Sequence, residues 1–150
     1  LANDAIATLK KELISRALLI TPNLPEAAAL TGAPEAKTEA EMAAQAKQLI
    51  DAGARNVLIK GGHGEGLESV DLLIGSNLNV RLAAPRHPSL NTHGTGCTLS
   101  SAVAAGLSKG LDLTAAARGA KDYVTAGIAA ADKLAIGHGH GPLHHFHAHW

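Results

Sequence analysis

The chain has 150 residues, 46% hydrophobic and 17% charged, and its 13 Lys and Arg residues balance its 13 Asp and Glu residues. This composition fits one globular domain with its own core and argues against disorder, while the balanced charge offers no global field for nucleic acid or an anionic membrane. A lone cysteine excludes an intramolecular disulfide framework and no apolar run reaches the roughly 20 residues of a membrane span, so a cytoplasmic protein with one reduced thiol is expected.

In chain order, Asp4 to Ile14 puts Ile6, Leu9, Leu13 and Ile14 on one helical face with lysines opposite. Leu18 to Thr21 is a short apolar run ended by Pro22, which predicts a buried parallel strand. Asn23-Leu-Pro-Glu26 opens a short helix through Leu30, and Gly32 can end it in left-handed conformation. Thr38-Glu-Ala-Glu41 is a capping box for a helix with the stripe Met42, Ala46, Leu49, Ile50 and with Gly53 at its end. Asn56 to Lys60 reads as a second buried strand, released by Gly61 and Gly62. Ser69 to Ile74 and Asn79 to Ala83 follow at short spacing and predict an antiparallel edge pair, with the alternation of Val80 and Leu82 against Asn79 and Arg81 leaving one wet face.

After Pro85 and Pro88 the loop Asn91-Thr-His-Gly-Thr-Gly-Cys97 runs into the apolar segment Thr98 to Leu107, which should stop near Gly110. Asp112 caps a last helix, Leu113 to about Ala135, with a stripe of Ala116, Tyr123, Ile128 and Leu134. Gly119 and Gly127 inside it predict close packing, since each otherwise costs about 1 kcal/mol against Ala. Strands alternating with helices indicate an α/β fold with a mostly parallel sheet and ligands at the carboxyl ends of its strands.

Three chemistry-bearing features fall at such ends: Asn23 with Glu26, Lys60 beside two glycines, and the loop ending in Cys97. They could converge on one crevice. Gly94 and Gly96 allow a tight turn whose N–H groups, with the positive end of a helix, form an anion cradle. A thiol at that position has more thiolate available, so Cys97 next to a held phosphate suggests phosphoryl transfer. The competing reading is a glycine turn that caps a helix, with Cys97 as a small hydrophobe. Glu26 suits a hydrated Mg²⁺, yet Asn followed three residues later by Glu is itself a capping pattern. Lys60 could neutralise nucleotide phosphates or be a solvated charge at a strand end.

Thr21-Pro-Asn-Leu-Pro-Glu-Ala27, Ile59-Lys-Gly-Gly-His63, Asp71-Leu-Leu73 and the loop Asn91 to Cys97, in this order, closely resemble the hydroxymethylpyrimidine/phosphomethylpyrimidine kinases of thiamin biosynthesis. The resemblance continues through Ala120-Lys-Asp-Tyr-Val124 and Gly137-His-Gly-His-Gly-Pro142. It implies a ribokinase-like three-layer α/β/α fold and transfer of the ATP γ-phosphoryl group to a hydroxymethyl or a phosphate. Gly94, Thr95 and Gly96 would then form the anion hole, and Cys97 would stand where most of the superfamily carries an aspartate base. Asn23 and Glu26 would organise Mg²⁺ through water, Lys60 would bind phosphate, and Lys121 would be a weaker nucleotide contact.

The resemblance also implies a departure. These kinases are about twice as long, and their opening Gly-Ser-Asp-type segment with the strands of the pyrimidine pocket has no counterpart here. The chain starts at Leu1 and not at Met, so it reads as a piece of a longer or processed protein, with residues 1–137 the C-terminal half of the kinase domain and 138–150 a His- and Gly-rich tail. The isolated chain is then expected to be inactive, and to associate with the missing segment or with another copy along an uncovered sheet edge. A non-catalytic nucleotide-binding or assembly fragment is the alternative. A metal site in the tail and a Cys97–His93 thiol hydrolase remain distant readings, because the tail offers no fixed frame and no third residue orients the pair.

Overall fold

The computed structural model describes residues 3–62 and 66–150. They divide into two compact units, Leu1–Ala83 and Ala84–Trp150.

In the first unit local signals and structure agree closely. Helix α1 spans Asn3–Glu12 and lays Ile6 and Leu9 against the core, with Ile14 fully buried just beyond its end. Leu13, expected on the same face, is 57% exposed because the helix has already ended. Helix α2, Leu24–Thr31, ends at Gly32 with φ 76°, as its sequence predicts. Helix α3, Glu39–Asp51, starts from a complete Thr38/Glu41 capping box and buries Met42, Ala46 and Leu49. Strand β1, Asn56–Lys60, is buried along Val57, Leu58 and Ile59, so its near-continuous apolar run reflects burial on both faces. Ile14, Leu24, Ala27, Leu30, Leu49, Val57, Ile59 and Leu72 belong to one apolar cluster.

Strands β2, Glu68–Gly75, and β3, Leu78–Pro85, each extend beyond the expected edge pair. The sheet order is β1-β2-β3, with β1 and β2 antiparallel in the register Leu58 to Leu73. A two-residue connection makes the β2–β3 pair a hairpin, hence antiparallel as well. The mostly parallel sheet predicted from the sequence is therefore corrected to an α/β arrangement around three antiparallel strands. Among the described residues, parallel pairing to this sheet consists of two isolated bridges, Ile20 to Val57 and Asn23 to Lys60. Pro22 has no N–H to add to the ladder and the chain turns into α2 at once, so the run Leu18 to Thr21 does not become a strand, and Leu18 stays 51% exposed. Arg81 on β3 grips Glu39 of α3 through two 2.9 Å hydrogen bonds and also reaches Glu68 of β2. The guanidinium holds the Glu39 carboxyl below its ordinary value.

The second unit is a helix pair. Helix α4 spans Thr95–Ser108 and α5 Leu113–Ala129, the latter capped by Asp112 and followed by a 3₁₀ turn at Ala131–Lys133 instead of running on as one helix. Leu99 and Val103 of α4 and Ala116, Ala117, Ala120 and Val124 of α5 are buried. Gly127 packs closely, as predicted, since a Cβ there would come within 2.9 Å of Leu143. Gly119 does not: it faces open space. Residues 138–150, read from composition as a tail, contain fully buried Leu143 and nearly buried His144. Among the described residues, no helix is long and apolar enough to cross a membrane.

Candidate functional site

Asn23 and Glu26 hold each other. The Asn23 Oδ1 accepts from the Glu26 N–H at 2.8 Å, and Glu26 Oε2 accepts from the Asn23 N–H at 2.7 Å. Both residues thus form the capping box that starts α2, with Pro25 in its first turn. The cap uses one oxygen of Glu26 and leaves Oε1 outside it. One carboxylate oxygen suits an ion that keeps most of its own water, so the pair fits a water-mediated Mg²⁺ without losing its structural role. Among the described residues no group of three or more His, Cys, Asp or Glu side chains is arranged to hold a metal directly.

The first unit brings this cap to the end of β1. Asn23 bridges to Lys60, and the Lys60 N–H bonds the Pro22 carbonyl at 2.9 Å. Lys60 is half-buried there, a cation beside the cap. Next to it the Gly61 N–H donates to the Val70 carbonyl at 2.9 Å and to buried Asp71 at 3.0 Å. A Cβ at Gly61 would collide with that carbonyl, so the backbone after Lys60 is fixed by an approach only glycine permits. His63 of the same motif lies outside the described residues.

The glycine loop belongs to the second unit. Gly94 is the N-cap of α4 at φ 81°, a left-handed position without side-chain capping. The helix begins inside the motif, at Thr95, and not after it. Cys97 is therefore the third residue of the first turn, exposed. Thr95 turns its hydroxyl back to the Thr92 carbonyl at 2.6 Å, and Thr98 N–H closes the first helical bond to Gly94 at 2.9 Å. The Gly96 and Cys97 N–H groups meet no acceptor among the described residues. Two donors and the positive helix end face the space before the loop, an arrangement able to hold an anion. No hydrogen bond joins His93 to Cys97 among the described residues. A cleft of about 630 Å³ between α4 and α5 opens at Cys97 and runs past Ser101 and Gly119 to Tyr123. Lys121 is only 7% exposed on α5, so its stem is part of the packing of that helix.

One contributor escaped the sequence reading. Asn91 ties the approach to Gly94 to the end of α5, donating to the Ala131 carbonyl at 3.0 Å. Its partner is distant in sequence, and no local pattern announces it.

The phosphomethylpyrimidine kinase family matches residues 1–144. The hydroxymethylpyrimidine/phosphomethylpyrimidine kinase of Rhizobium meliloti is 54% identical over 147 residues, covering 98% of this chain and 55% of that protein. Among solved structures, the ADP complex of Bacillus subtilis pyridoxal kinase superposes with a TM-score of 0.91 at 34% identity, covering 97% of this chain and 54% of the other. Staphylococcus aureus pyridoxal kinase with AMP-PCP and pyridoxal gives 0.93 at 29% identity, covering 99% and 55%. The chain thus spans about half the length of the proteins it matches.

Proposed function

The chain belongs to the phosphomethylpyrimidine kinase family, and from that premise we propose that it carries the ATP and phosphoryl half of a kinase acting on hydroxymethylpyrimidine and its monophosphate in thiamin biosynthesis. The observation that carries this reading is the start of α4, where left-handed Gly94 precedes two unpaired N–H groups and an exposed thiol. The ribokinase-like three-layer fold is part of the proposal, supported by likeness to the two pyridoxal kinases. Identity favours a pyrimidine over pyridoxal as acceptor, because the Rhizobium meliloti pyrimidine kinase stands at 54% and the pyridoxal kinases at 34% and 29%.

In this reading ATP lies with its γ-phosphate before the α4 N-terminus. The Gly96 and Cys97 N–H groups, aligned with the helix dipole, take up charge as it spreads over the equatorial oxygens of the moving phosphoryl. Thr95 keeps the turn closed through its bond to Thr92. Lys60 supplies a cation for the nucleotide phosphates, and Lys121 remains a further nucleotide contact. Cys97 Sγ takes the proton of the acceptor hydroxymethyl group while that group's oxygen attacks the γ-phosphorus and ADP leaves. A phosphate acceptor already carries a nucleophilic oxygen, so the second phosphorylation needs this base less. Mg²⁺, held through water by Glu26 and Asn23, would supply neutralising charge to the phosphates. Pairing with a further segment or another copy along a sheet edge belongs to the same reading.

The experimental vehicle is an enzyme of full family length, the Rhizobium meliloti kinase with its matching segment exchanged for this chain. In it Glu26→Gln keeps a cap, since Gln serves at that position, but loses the charge that attracts the ion. We expect the Mg²⁺ concentration for half-maximal activity to rise several-fold, roughly as for loss of one exposed charge interaction of about 1 kcal/mol, with thermal stability little altered. An unmoved magnesium titration would leave Glu26 with its cap alone.

A further inference from the structure

Ser89, Asn91 and His93 alternate along the segment that leads into Gly94, and each is tied to another part of the second unit. The Ser89 hydroxyl donates to Asp132 Oδ1 at 2.6 Å and accepts from the Asn91 N–H at 3.1 Å. The Asn91 Nδ2 donates to the Ala131 carbonyl at 3.0 Å and, more weakly, to that of Leu134 at 3.4 Å, both in the turn that follows α5. From the other side the His93 N–H donates to the Gly141 carbonyl at 3.0 Å, and His93 bridges to Pro142. Gly141 is buried, and a Cβ there would overlap the Asn91 amide, whose Cγ would lie 2.7 Å away.

The segment beyond Gly141 is anchored in turn. Leu143 is 0% exposed and packs at Gly127. The His144 N–H bonds the Gly127 carbonyl at 2.9 Å, and the Tyr123 hydroxyl donates to the His145 carbonyl at 2.7 Å. The residues read as a loose tail are therefore fastened to α5 at one end and to the approach of the anion loop at the other.

We propose that Asn91 is a positioning residue and that 141–145 is a clasp, which together fix the direction in which the chain enters Gly94 and so aim the Gly96 and Cys97 N–H groups. This rests on the reading of that loop as a phosphoryl cradle. Gly94 has no side chain to stiffen its left-handed turn, so the aim of the cradle is set by what holds the residues just before it. An amide is the right group because Nδ2 faces two carbonyl oxygens. A carboxylate of the same size would set oxygen against oxygen, and alanine would leave the two carbonyls without this donor.

The test uses Asn91→Asp, Asn91→Ala and Gly141→Ala in the exchange enzyme of full family length, the last displacing the Asn91 side chain without replacing it. Amide hydrogen exchange and AMP-PCP calorimetry are read together. Exchange at His93 and Thr98, whose N–H groups close the clasp and the first helical bond, should accelerate about tenfold or more, while amides in the middle of α5 stay protected. AMP-PCP affinity should fall by about the same factor in all three variants. Unchanged exchange at His93 and Thr98 in Asn91→Asp and Gly141→Ala would overturn the proposal, as would acceleration spread equally through α5. If the unsubstituted exchange enzyme binds no AMP-PCP, the cradle reading fails by itself, and the exchange pattern still upholds or overturns the clasp.

Discussion

Cys97→Ala in the full-length exchange enzyme should lower kcat for the hydroxymethyl acceptor by about 10²- to 10⁴-fold, the range of a general base, with ATP affinity nearly intact. Cys97 is the third residue of α4 and exposed, so its removal takes away a proton acceptor without opening a core cavity. The backbone N–H of Cys97 stays in place, which separates loss of the base from loss of the cradle. The phosphate acceptor provides the internal control, because it brings its own nucleophilic oxygen and should suffer much less. Steady-state kinetics with both acceptors decides between this role and a merely structural one. Equal losses on both acceptors, or a drop in thermal stability that accounts for them, would remove Cys97 from proton transfer.

Gly96→Pro should reduce kcat by about 10²- to 10³-fold, the cost of deleting one preorganised donor aimed at a developing oxyanion. The substitution removes the Gly96 N–H, which has no acceptor among the described residues, and so sacrifices no hydrogen bond of the resting fold. Proline is compatible with the first turn of a helix, where N–H groups are unpaired in any case. This chain already uses it there: Pro25 is the second residue of α2, as Gly96 is the second residue of α4. Circular dichroism and the melting temperature should therefore change little while turnover collapses. Retained turnover with a retained helix would show that the phosphoryl group does not meet this N–H.

What could be read in the sequence was local. The Asn23/Glu26 and Thr38/Glu41 boxes, the left-handed stop at Gly32 and the Asp112 cap depend on residues within one turn of each other, and all are present. The glycine loop was legible as a helix start for the same reason, although the helix begins at Thr95, inside the motif. The sheet was less legible. Its topology depends on which runs pair, and Pro22 reduces the pairing of the preceding run with β1 to isolated bridges. Least legible was 138–150, whose glycine and histidine content reads as a tail without a fixed frame. The burial of Leu143 depends on the missing Cβ of Gly127, and Gly141 is required by the Asn91 amide, so neither packing relation has a signature in composition.

The resemblance in the sequence named the family, and the match over residues 1–144 bears it out. The roles of Asn23, Glu26, Lys60, Cys97 and Lys121 stand as proposals tied to geometry. In each unit the geometry supplies a compatible partial arrangement: a capping box with a spare carboxylate oxygen beside Lys60, and a helix start with two unpaired donors beside a thiol.

Hydroxymethylpyrimidine-dependent ADP release by the exchange enzyme, the Rhizobium meliloti kinase carrying this chain in place of its own 54% identical segment, tests the assignment of the ATP and phosphoryl half. If the chain supplies the ATP and phosphoryl half, release should depend on the pyrimidine and lie within about tenfold of the parent enzyme, a loss of no more than about 1.4 kcal/mol in transition-state stabilisation. A folded exchange enzyme that binds hydroxymethylpyrimidine but releases no ADP in response to it would show that this chain does not supply that half.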